Sequence, residues 1–574
     1  MKRLSCCCGR GLLSLLVLLS ASVAAASAAV KFDPREMIRA GEVRPGMKGV
    51  GRTVFKGVKI EAFDVTVLGV LPKQNLGGSY VLVRVSGGPI TERRANVMQG
   101  MSGSPVYING RMLGAVSATY PFGSEPLGLV TPIEDMLEAL DPSLPAKPAW
   151  SGRARLARAA PQEWSLPRPV TVEGKAIRRI RLVPDARKRP DGGAKSGTME
   201  MVPMTTPVMV SGLSAPGLKR LSEALQPFGI EAVSGPGGME YDRPIPLEPG
   251  SAAAVSLAVG DVDISAVGTI TYRKGGQILA FGHPFMTAGA VDMPLCTAWV
   301  HDVVPSVYTS FKLASPVKMV GSVRQDRPWG VAAMVGRVPD LIPVEVNVRD
   351  FGSSRRRTLR ARVIDNRFLT SQLVAIVTNE AILRAHSGLG DATARVHTEM
   401  VTRELGPIRR ENLYYGASGI DVASLGDLVT GLNLLSSNPW ESVSVREVKV
   451  NVDIDSARRT ATIERAVADR EKYEPGDTVN VDVTLRPWEK EPVKRTLSLK
   501  IPEHAPNGRV VLRVSGGAGG GMMMVAPAGQ GEGAGGGGLR IGPPPMPPAT
   551  SLKQLVDHYL EADQRQKATA TTAN

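Results

Sequence analysis

Short runs of alternating apolar and polar residues, separated by glycine, dominate residues 45–145. They include TVFKGVKI, FDVTVLGVL and SYVLVRVSG, and Asn109-Gly110 divides the run SPVYINGRMLGAVSATY. An alternation of period two predicts strands with one buried face, and Asn-Gly between two such runs predicts a two-residue hairpin turn whose central residues have positive φ. The pattern closes with TPIEDMLEAL, for which Thr131-Pro132 predicts the start of a short helix.

Changes of composition divide the rest of the chain. Residues 146–200 are rich in Arg, Pro and Ala and predict a basic linker, whereas residues 201–355 return to strand-like runs with one amphipathic helix at LKRLSEALQPFG. Residues 356–515 combine a helix in TSQLVAIVTNEAILRAHSG with the alternating runs VSVREVKVNVDI and DTVNVDVTLR, which favour a β-sandwich-like domain. Residues 516–550 have the Gly- and Pro-rich composition of a flexible tether. In residues 551–574, SLKQLVDHYLEADQRQ predicts a terminal helix with one apolar face.

The N-terminus has the pattern of a secretory signal peptide. Three basic residues precede the apolar run LLSLLVLL, and an Ala-Ser-Ala cleavage site ends at residue 28. We therefore expect residues 1–28 to be removed and residues 29–145 to form the first domain of an exported protein, periplasmic or extracellular. No run approaches the roughly 18 apolar residues that a transmembrane helix needs, so we expect no transmembrane segment in the mature chain.

Composition and charge narrow the structural and functional classes. The 574 residues favour several domains, and 62 Gly and 44 Pro with 5% aromatic residues favour strands and turns, so we predict a mainly β protein. The formal charge of +15 falls to +12 without the three basic residues of the leader. Export excludes nucleic acid as a partner and leaves anionic envelope surfaces. Cys296 is the one cysteine after the leader, and neither HExxH nor CxxC occurs, so we expect no internal disulfide, no metal and no cofactor.

The motif GMSGSP, residues 100–105, has the composition of a nucleophile turn. Glycines on both sides of Ser102 permit a tight bend that exposes its hydroxyl and directs the amides of Gly100 and Ser102 at one point. Such paired amides form the oxyanion hole of acyl-transfer enzymes. The motif by itself is more typical of an ordinary β-turn than of a nucleophile turn.

Two longer runs resemble one family. NVMQGMSGSPVYINGRMLGAVSATY resembles the serine-containing half of the SpoIVB-type sporulation serine peptidases, and GDVDISAVGTITYRKGGQILAFGHPF resembles their histidine half. The resemblance implies a trypsin-like double β-barrel with Ser102 as nucleophile and His283 as general base. It also implies a serine endopeptidase acting by acyl transfer on envelope proteins, with Ser104 shaping the turn.

The chain departs from the family in two respects. The family's histidine precedes its serine, whereas Ser102 precedes the histidine here by 181 residues, which predicts barrels in rearranged chain order. The family's aspartate shortly before the serine is also missing, so Asp292 is the first candidate for the triad acid, with Asp64 and Glu92 as alternatives. His301 is the rival base. The missing acid keeps open a second hypothesis, a catalytically silent envelope scaffold that binds protein partners.

Overall fold

The chain is mainly β. The computed structural model describes residues 30–73, 78–121, 123–145, 161–183, 196–204, 207–306, 310–386, 390–501, 503, 511–515, 549–561 and 569–573. Within these ranges, no helix has the length and hydrophobicity that a bilayer crossing requires.

Six antiparallel strands close into a first barrel. They are β1 (Lys48–Val54), β2 (Ile60–Leu71), β3 (Tyr80–Ser86), β4 (Pro105–Ile108), β5 (Arg111–Thr119) and β6 (Leu127–Pro132), preceded by a 3-10 turn at Ala40–Glu42. Hydrogen bonds join them in the order β1-β2-β3-β6-β5-β4, and β4 pairs back with β1. Asn109 and Gly110 form the predicted hairpin turn, with φ of 50° and 77°.

Two short helices belong to this barrel. α1 (Pro89–Glu92) lies between β3 and β4, and α2 (Ile133–Met136) follows β6 and continues as a 3-10 turn at Leu137–Leu140. The helix predicted after Thr131-Pro132 is thus confirmed.

The predicted basic linker contains folded strands. β7 (Gln162–Val172) and β8 (Lys175–Leu182) form a hairpin, and β9 (Thr198–Pro203) pairs with β8 and β5. Trp164 and Ile180 are buried in a core that they share with Leu82 and Leu129 of the barrel. The linker interpretation is wrong for these strands, because their exposed positions carry the arginines while inward positions remain apolar. Residues 146–160 and 184–195 of that stretch lie outside the described residues.

A second closed barrel follows an intervening helix. β10 (Val208–Ser211), α3 (Ala215–Leu225), a 3-10 turn at Gln226–Phe228 and β11 (Ala232–Ser234) precede it. Its strands are β12 (Ala252–Gly260), β13 (Asp263–Lys274), β14 (Gln277–Ala280), β15 (Gly289–Val304), β16 (Phe311–Arg327) and β17 (Gly330–Val335). They pair in the order β12-β13-β14-β17-β16-β15, and β15 closes onto β12.

The two barrels share one topology. Each joins its first, second, third, sixth, fifth and fourth strands in that order, so the predicted trypsin-like double β-barrel is confirmed. The serine-bearing barrel comes first in the chain. Ser102 lies in the connection from the third to the fourth strand of its barrel, and His283 lies in the equivalent connection of the second. The shared topology therefore gives the two residues equivalent places.

The sheet of the second barrel extends into the C-terminal region. β18 (Leu341–Asp350), β19 (Arg355–Ile364), β20 (Ala392–Thr402), β21 (Gly406–Gly416) and β22 (Val445–Asp455) continue it through the pairing of β12 with β19. The helices α4 (Thr370–Ala385), α5 (Ile420–Ala423) and α6 (Gly426–Ser437) belong to the same region, and residues of α4 and α6 share its core with the sheet. The helices expected at α3 and α4 are confirmed.

The remaining strands form separate small sheets. β23 (Ala461–Ala468), β24 (Thr478–Pro487) and β25 (Val493–Lys500) make one sheet, and β26 (Val511–Ser515) pairs with β27 (Thr569–Ala573). The two alternating runs that suggested one β-sandwich are β22 and β24, which lie in different sheets. Alternation shows that one face of a strand is covered, but it does not show whether a sheet or a helix covers it.

The terminal helix, α7 (Leu552–Glu561), packs against the main core of the same chain. Leu552, Val556 and Tyr559 are buried there, and Tyr559 Oη donates a hydrogen bond to the Asp427 carbonyl at 2.9 Å. The predicted tether, residues 516–550, lies outside the described residues except for its last two positions.

Candidate active site

The serine turn is held in shape by its own amides and by the second barrel. The Gly103 amide donates to the Val116 carbonyl at 2.9 Å, and the Ser104 amide donates to the Met101 carbonyl at 2.8 Å. Gly100 and Gly103 have φ of 89° and 90°, a region that side chains disfavour. The glycines of the motif are therefore required by the backbone itself.

Gly103 also lies at a close contact between the two barrels. A Cβ atom on it would lie 2.0 Å from the Thr269 carbonyl oxygen of β13 and 2.5 Å from the Phe281 amide nitrogen. The Thr269 amide donates to the Ser102 carbonyl at 2.8 Å, and the Thr271 hydroxyl donates to the Gly103 carbonyl at 2.7 Å. The second barrel thus binds the backbone of the serine turn directly.

Three polar groups of the serine turn have no hydrogen-bond partner. Ser102 Oγ is buried without a hydrogen bond, and within the described part of the chain the amides of Gly100 and Ser102 donate to no other group. Buried polar groups are normally paired, so three free ones in one turn are unusual. They are the hydroxyl and the two amides that an oxyanion-hole nucleophile uses.

A strained bend precedes His283. Phe281 has φ of 72° although it is not glycine, a conformation that costs about 1–3 kcal/mol and clusters at functional sites. Gly282 follows with φ of 68°, and its carbonyl accepts a hydrogen bond from the Thr131 hydroxyl of the first barrel at 2.8 Å. A Cβ on Gly282 would lie 2.9 Å from the Ala115 Cβ. The histidine bend is therefore packed against the serine-bearing barrel.

The surroundings of the His283 imidazole determine its tautomer and its charge. Its Nδ1 lies 2.8 Å from the Pro284 carbonyl, which can only accept, so the proton is on Nδ1. Nε2 then carries the lone pair, and it is buried without a partner. Burial lowers the pKa of His283 to about 4, partly opposed by the Pro284 carbonyl, so the ring is neutral at neutral pH.

The structure brings the two bends together without joining the two side chains by a hydrogen bond. Gly103 of one bend contacts Phe281 of the other, while Ser102 Oγ and His283 Nε2 are each unpaired. Ser102 is 0% exposed and His283 is 6% exposed. Both side chains are therefore closed off from solvent in the structure.

Asp326 is a residue that the sequence reasoning missed. Its buried carboxylate accepts hydrogen bonds from the amides of Phe285 and Met286 at 2.7 Å and of Ala288 at 3.0 Å, immediately after His283. Burial raises the pKa of Asp326, and the three amides oppose that rise. The residue lies 43 positions beyond the histidine in RQDRPW, where no local pattern signals its contact with the bend.

The candidate acid Asp292 is engaged elsewhere. Its carboxylate accepts a hydrogen bond from the Ser322 hydroxyl, forms an ion pair with Arg324 at 2.6 Å and accepts from the Asp340 amide at 3.3 Å. The partner of the imidazole Nδ1 is instead the Pro284 carbonyl. The structure does not bring Asp292 to His283.

The other candidates do not hydrogen-bond to the imidazole either. Asp64 and Glu92 are exposed residues of β2 and α1. His301, the rival base, lies on β15, where its Nε2 is 2.9 Å from the Ser315 hydroxyl. Within the described residues, no group of three or more His, Cys, Asp or Glu side chains could hold a metal ion.

Comparison with known proteins finds a family similarity in the serine-bearing barrel. Residues 23–137 match the sequence model of the family described as SpoIVB peptidase S55. The match includes all six strands of the first barrel and Ser102, and it ends before the second barrel with His283. Searches of curated proteins and of solved structures found no match. Residues 23–137 of the chain are therefore similar to the SpoIVB peptidase S55 family, and this similarity supports a serine peptidase.

Proposed function

We propose that the chain is a serine endopeptidase that uses Ser102 as nucleophile and His283 as general base. The observation that carries the proposal is the arrangement of unpaired groups. Ser102 Oγ, the Gly100 and Ser102 amides and His283 Nε2 all lie on two bends in mutual contact, and among the described residues each lacks a partner. These are the groups that acyl transfer requires.

The chemistry follows from the roles of these groups. As Ser102 Oγ attacks a peptide carbonyl carbon, His283 Nε2 takes the hydroxyl proton, and the amides of Gly100 and Ser102 hold the developing oxyanion. The imidazolium then gives its proton to the leaving amine. Water hydrolyses the resulting acyl ester on Ser102, with the same imidazole as base.

The Pro284 carbonyl does part of the work of a triad acid. It fixes the Nδ1–H tautomer, which an acid would otherwise fix. A neutral carbonyl stabilises an imidazolium less than a carboxylate does. We therefore expect slower turnover than in enzymes with a complete triad.

We further propose that the enzyme is exported and processes envelope proteins selectively. The leader pattern in residues 1–28 supports export, and the closed site supports selectivity because Ser102 is reached only after a change in the structure. N-terminal sequencing of the protein recovered outside the producing cell tests export. A mature chain beginning at residue 29 is expected, and an intact Met1 would contradict export.

Two observations favour a catalytically silent scaffold. No carboxylate among the described residues bonds to the His283 ring, and both candidate catalytic side chains are buried. In that case the barrels would serve as a platform for binding partners. The two hypotheses differ in whether Ser102 reacts.

Labelling with a fluorophosphonate separates them, because Ser Oγ displaces fluoride from phosphorus only where a base and an oxyanion hole assist it. We expect labelling of the wild type, none of Ser102→Ala, and a loss of about 10²-fold or more for His283→Ala. His301→Ala is the matched control: His301 is half-buried and, like His283, has one hydrogen-bonded neighbour, and the variant should be labelled like the wild type.

Equal labelling of wild type and Ser102→Ala would mean another nucleophile. Loss of labelling in His301→Ala with retention in His283→Ala would assign the base to His301. If the folded wild type is never labelled, the scaffold hypothesis is favoured. The result must hold when the site is opened, either by adding cleaved peptides or by adding denaturant near the unfolding threshold.

A further inference from the structure

Lys312 is a fully buried lysine at the interface of the two barrels. It lies at the start of β16, is 1% exposed, and its Nζ is 2.6 Å from the Thr53 hydroxyl oxygen of β1. It forms no ion pair with any carboxylate in the described ranges. A buried ammonium without a counter-charge is costly, and burial accordingly lowers the pKa of Lys312 to about 7.

A chain of hydroxyl groups connects this amine to the serine turn. Ser104 Oγ donates to Thr53 Oγ1 at 3.0 Å, and Thr269 Oγ1 donates to the Gly100 carbonyl at 2.9 Å. With the amine neutral, the Thr53 hydroxyl can donate to Nζ while it accepts from Ser104. Every hydroxyl of the cluster then has an acceptor; beside a charged ammonium, the Thr53 hydroxyl would instead have the more distant Thr269 Oγ1, at 3.5 Å, as its acceptor.

The stem and backbone of Lys312 contact the other end of the same turn. A Cβ on Gly100 would lie 3.1 Å from the Lys312 Cβ and Cδ, so the stem covers the Gly100 α-carbon. The Lys312 amide donates to the Gln99 carbonyl at 3.0 Å, and the Gln99 amide donates to the Ser310 carbonyl at 2.8 Å. Lys312 thus holds residues 99–100 through its backbone and stem, and Ser104 through Thr53.

We infer that Lys312 is a positioning residue that anchors the serine turn from the opposite barrel and so fixes the direction of the Gly100 and Ser102 amides. The catalytic consequence rests on the proposed function. The anchoring itself depends only on contacts across the barrel interface. Two separate measurements therefore test the two parts.

Hydrogen exchange of the peptide covering residues 98–106 tests the anchoring. Lys312→Met keeps the stem and removes the amine, and Thr53→Val removes the hydroxyl at constant shape. Each should increase exchange in this peptide by about tenfold, as expected when one buried hydrogen bond is lost from a local opening equilibrium. The control is Lys318→Met, an exposed lysine on the same strand, which should leave exchange unchanged.

Fluorophosphonate kinetics test the catalytic consequence. Because oxyanion contacts form in the transition state, both variants should lower the maximal labelling rate by about tenfold with the half-saturating probe concentration unchanged. The double variant should lose no more than either single variant, since both act through one network. If the double variant instead loses labelling rate by the product of the two single losses, the substitutions cause independent structural damage, and the inference is overturned.

The failures of the two proposals are distinguishable. An unlabelled wild type would refute the proposed function, and the exchange experiment would still decide the anchoring. Exchange of residues 98–106 that matches the Lys318→Met control in both network variants would overturn the inference even in an active enzyme.

Discussion

Replacing Gly103 by alanine should destabilise the double barrel far more than its backbone angle alone explains. Two costs combine at this position. An L-residue at φ of 90° costs about 1–2 kcal/mol. The added Cβ would also lie 2.0 Å from the Thr269 carbonyl oxygen and 2.5 Å from the Phe281 amide nitrogen, both backbone atoms of the second barrel. Overpacking of this kind costs about 1–3 kcal/mol or more.

Gly110→Ala is the matched control. Gly110 lies in the same barrel with φ of 77°, but a Cβ there meets no atom within 4 Å. Both variants lose the same flexibility of the unfolded chain, so that contribution cancels in the comparison. We expect Gly110→Ala to lower the free energy of unfolding by about 1–2 kcal/mol. Gly103→Ala should lower it by about 2–5 kcal/mol.

Urea unfolding followed by intrinsic fluorescence measures the difference, and the labelling rate measures its effect on the site. Gly103→Ala should also reduce labelling strongly, because the clash separates the two bends that meet at Gly103. Gly110→Ala should label at the wild-type rate. Equal losses of stability, within about 0.5 kcal/mol, would refute the close contact between the serine turn and the second barrel.

Three further predictions follow from single contacts. An NMR titration of the His283 ring should have its midpoint near pH 4, since burial disfavours the charged ring. Because this pKa is below the unfolded value near 6.5, stability should fall as pH drops from 6.5 towards 4, and a midpoint near 6.5 would contradict the burial. Asp326→Asn should lower stability by about 2–3 kcal/mol and slow labelling, because an amide cannot accept from all three backbone N–H groups; unchanged melting and labelling would contradict its role. Tyr559→Phe should cost about 1 kcal/mol and speed hydrogen exchange in α7, whereas unchanged exchange would show that the bond to Asp427 does not hold the helix.

Local sequence patterns predicted those features of the fold that depend on interactions between residues close in sequence. The Asn109-Gly110 hairpin, the strands of the first barrel and the helices α3 and α4 follow from turn chemistry and periodicity within a few residues. The resemblance of two motifs to one peptidase family predicted the double barrel and the pair of candidate residues. The closed order of strands in each barrel agrees with the predicted double barrel.

Other features depend on contacts between distant residues and had no local signal. Asp326 and Lys312 both lie on β16 of the second barrel, and their sequence neighbours resemble ordinary strand residues. Asp292 was a reasonable acid from its spacing, yet Arg324 and Ser322 engage its carboxylate. The β7–β8 hairpin was missed because its exposed arginines dominate the composition of that stretch.

The structure of the protein after reaction with a fluorophosphonate tests the central claim most directly. Phosphorus should be bonded to Ser102 Oγ, with its phosphonyl oxygen accepting from the Gly100 and Ser102 amides and with His283 Nε2 within hydrogen-bond reach of the adduct. Phosphorus on another residue, or an adduct on Ser102 with the His283 ring remote from it and the two amides directed elsewhere, would contradict the account.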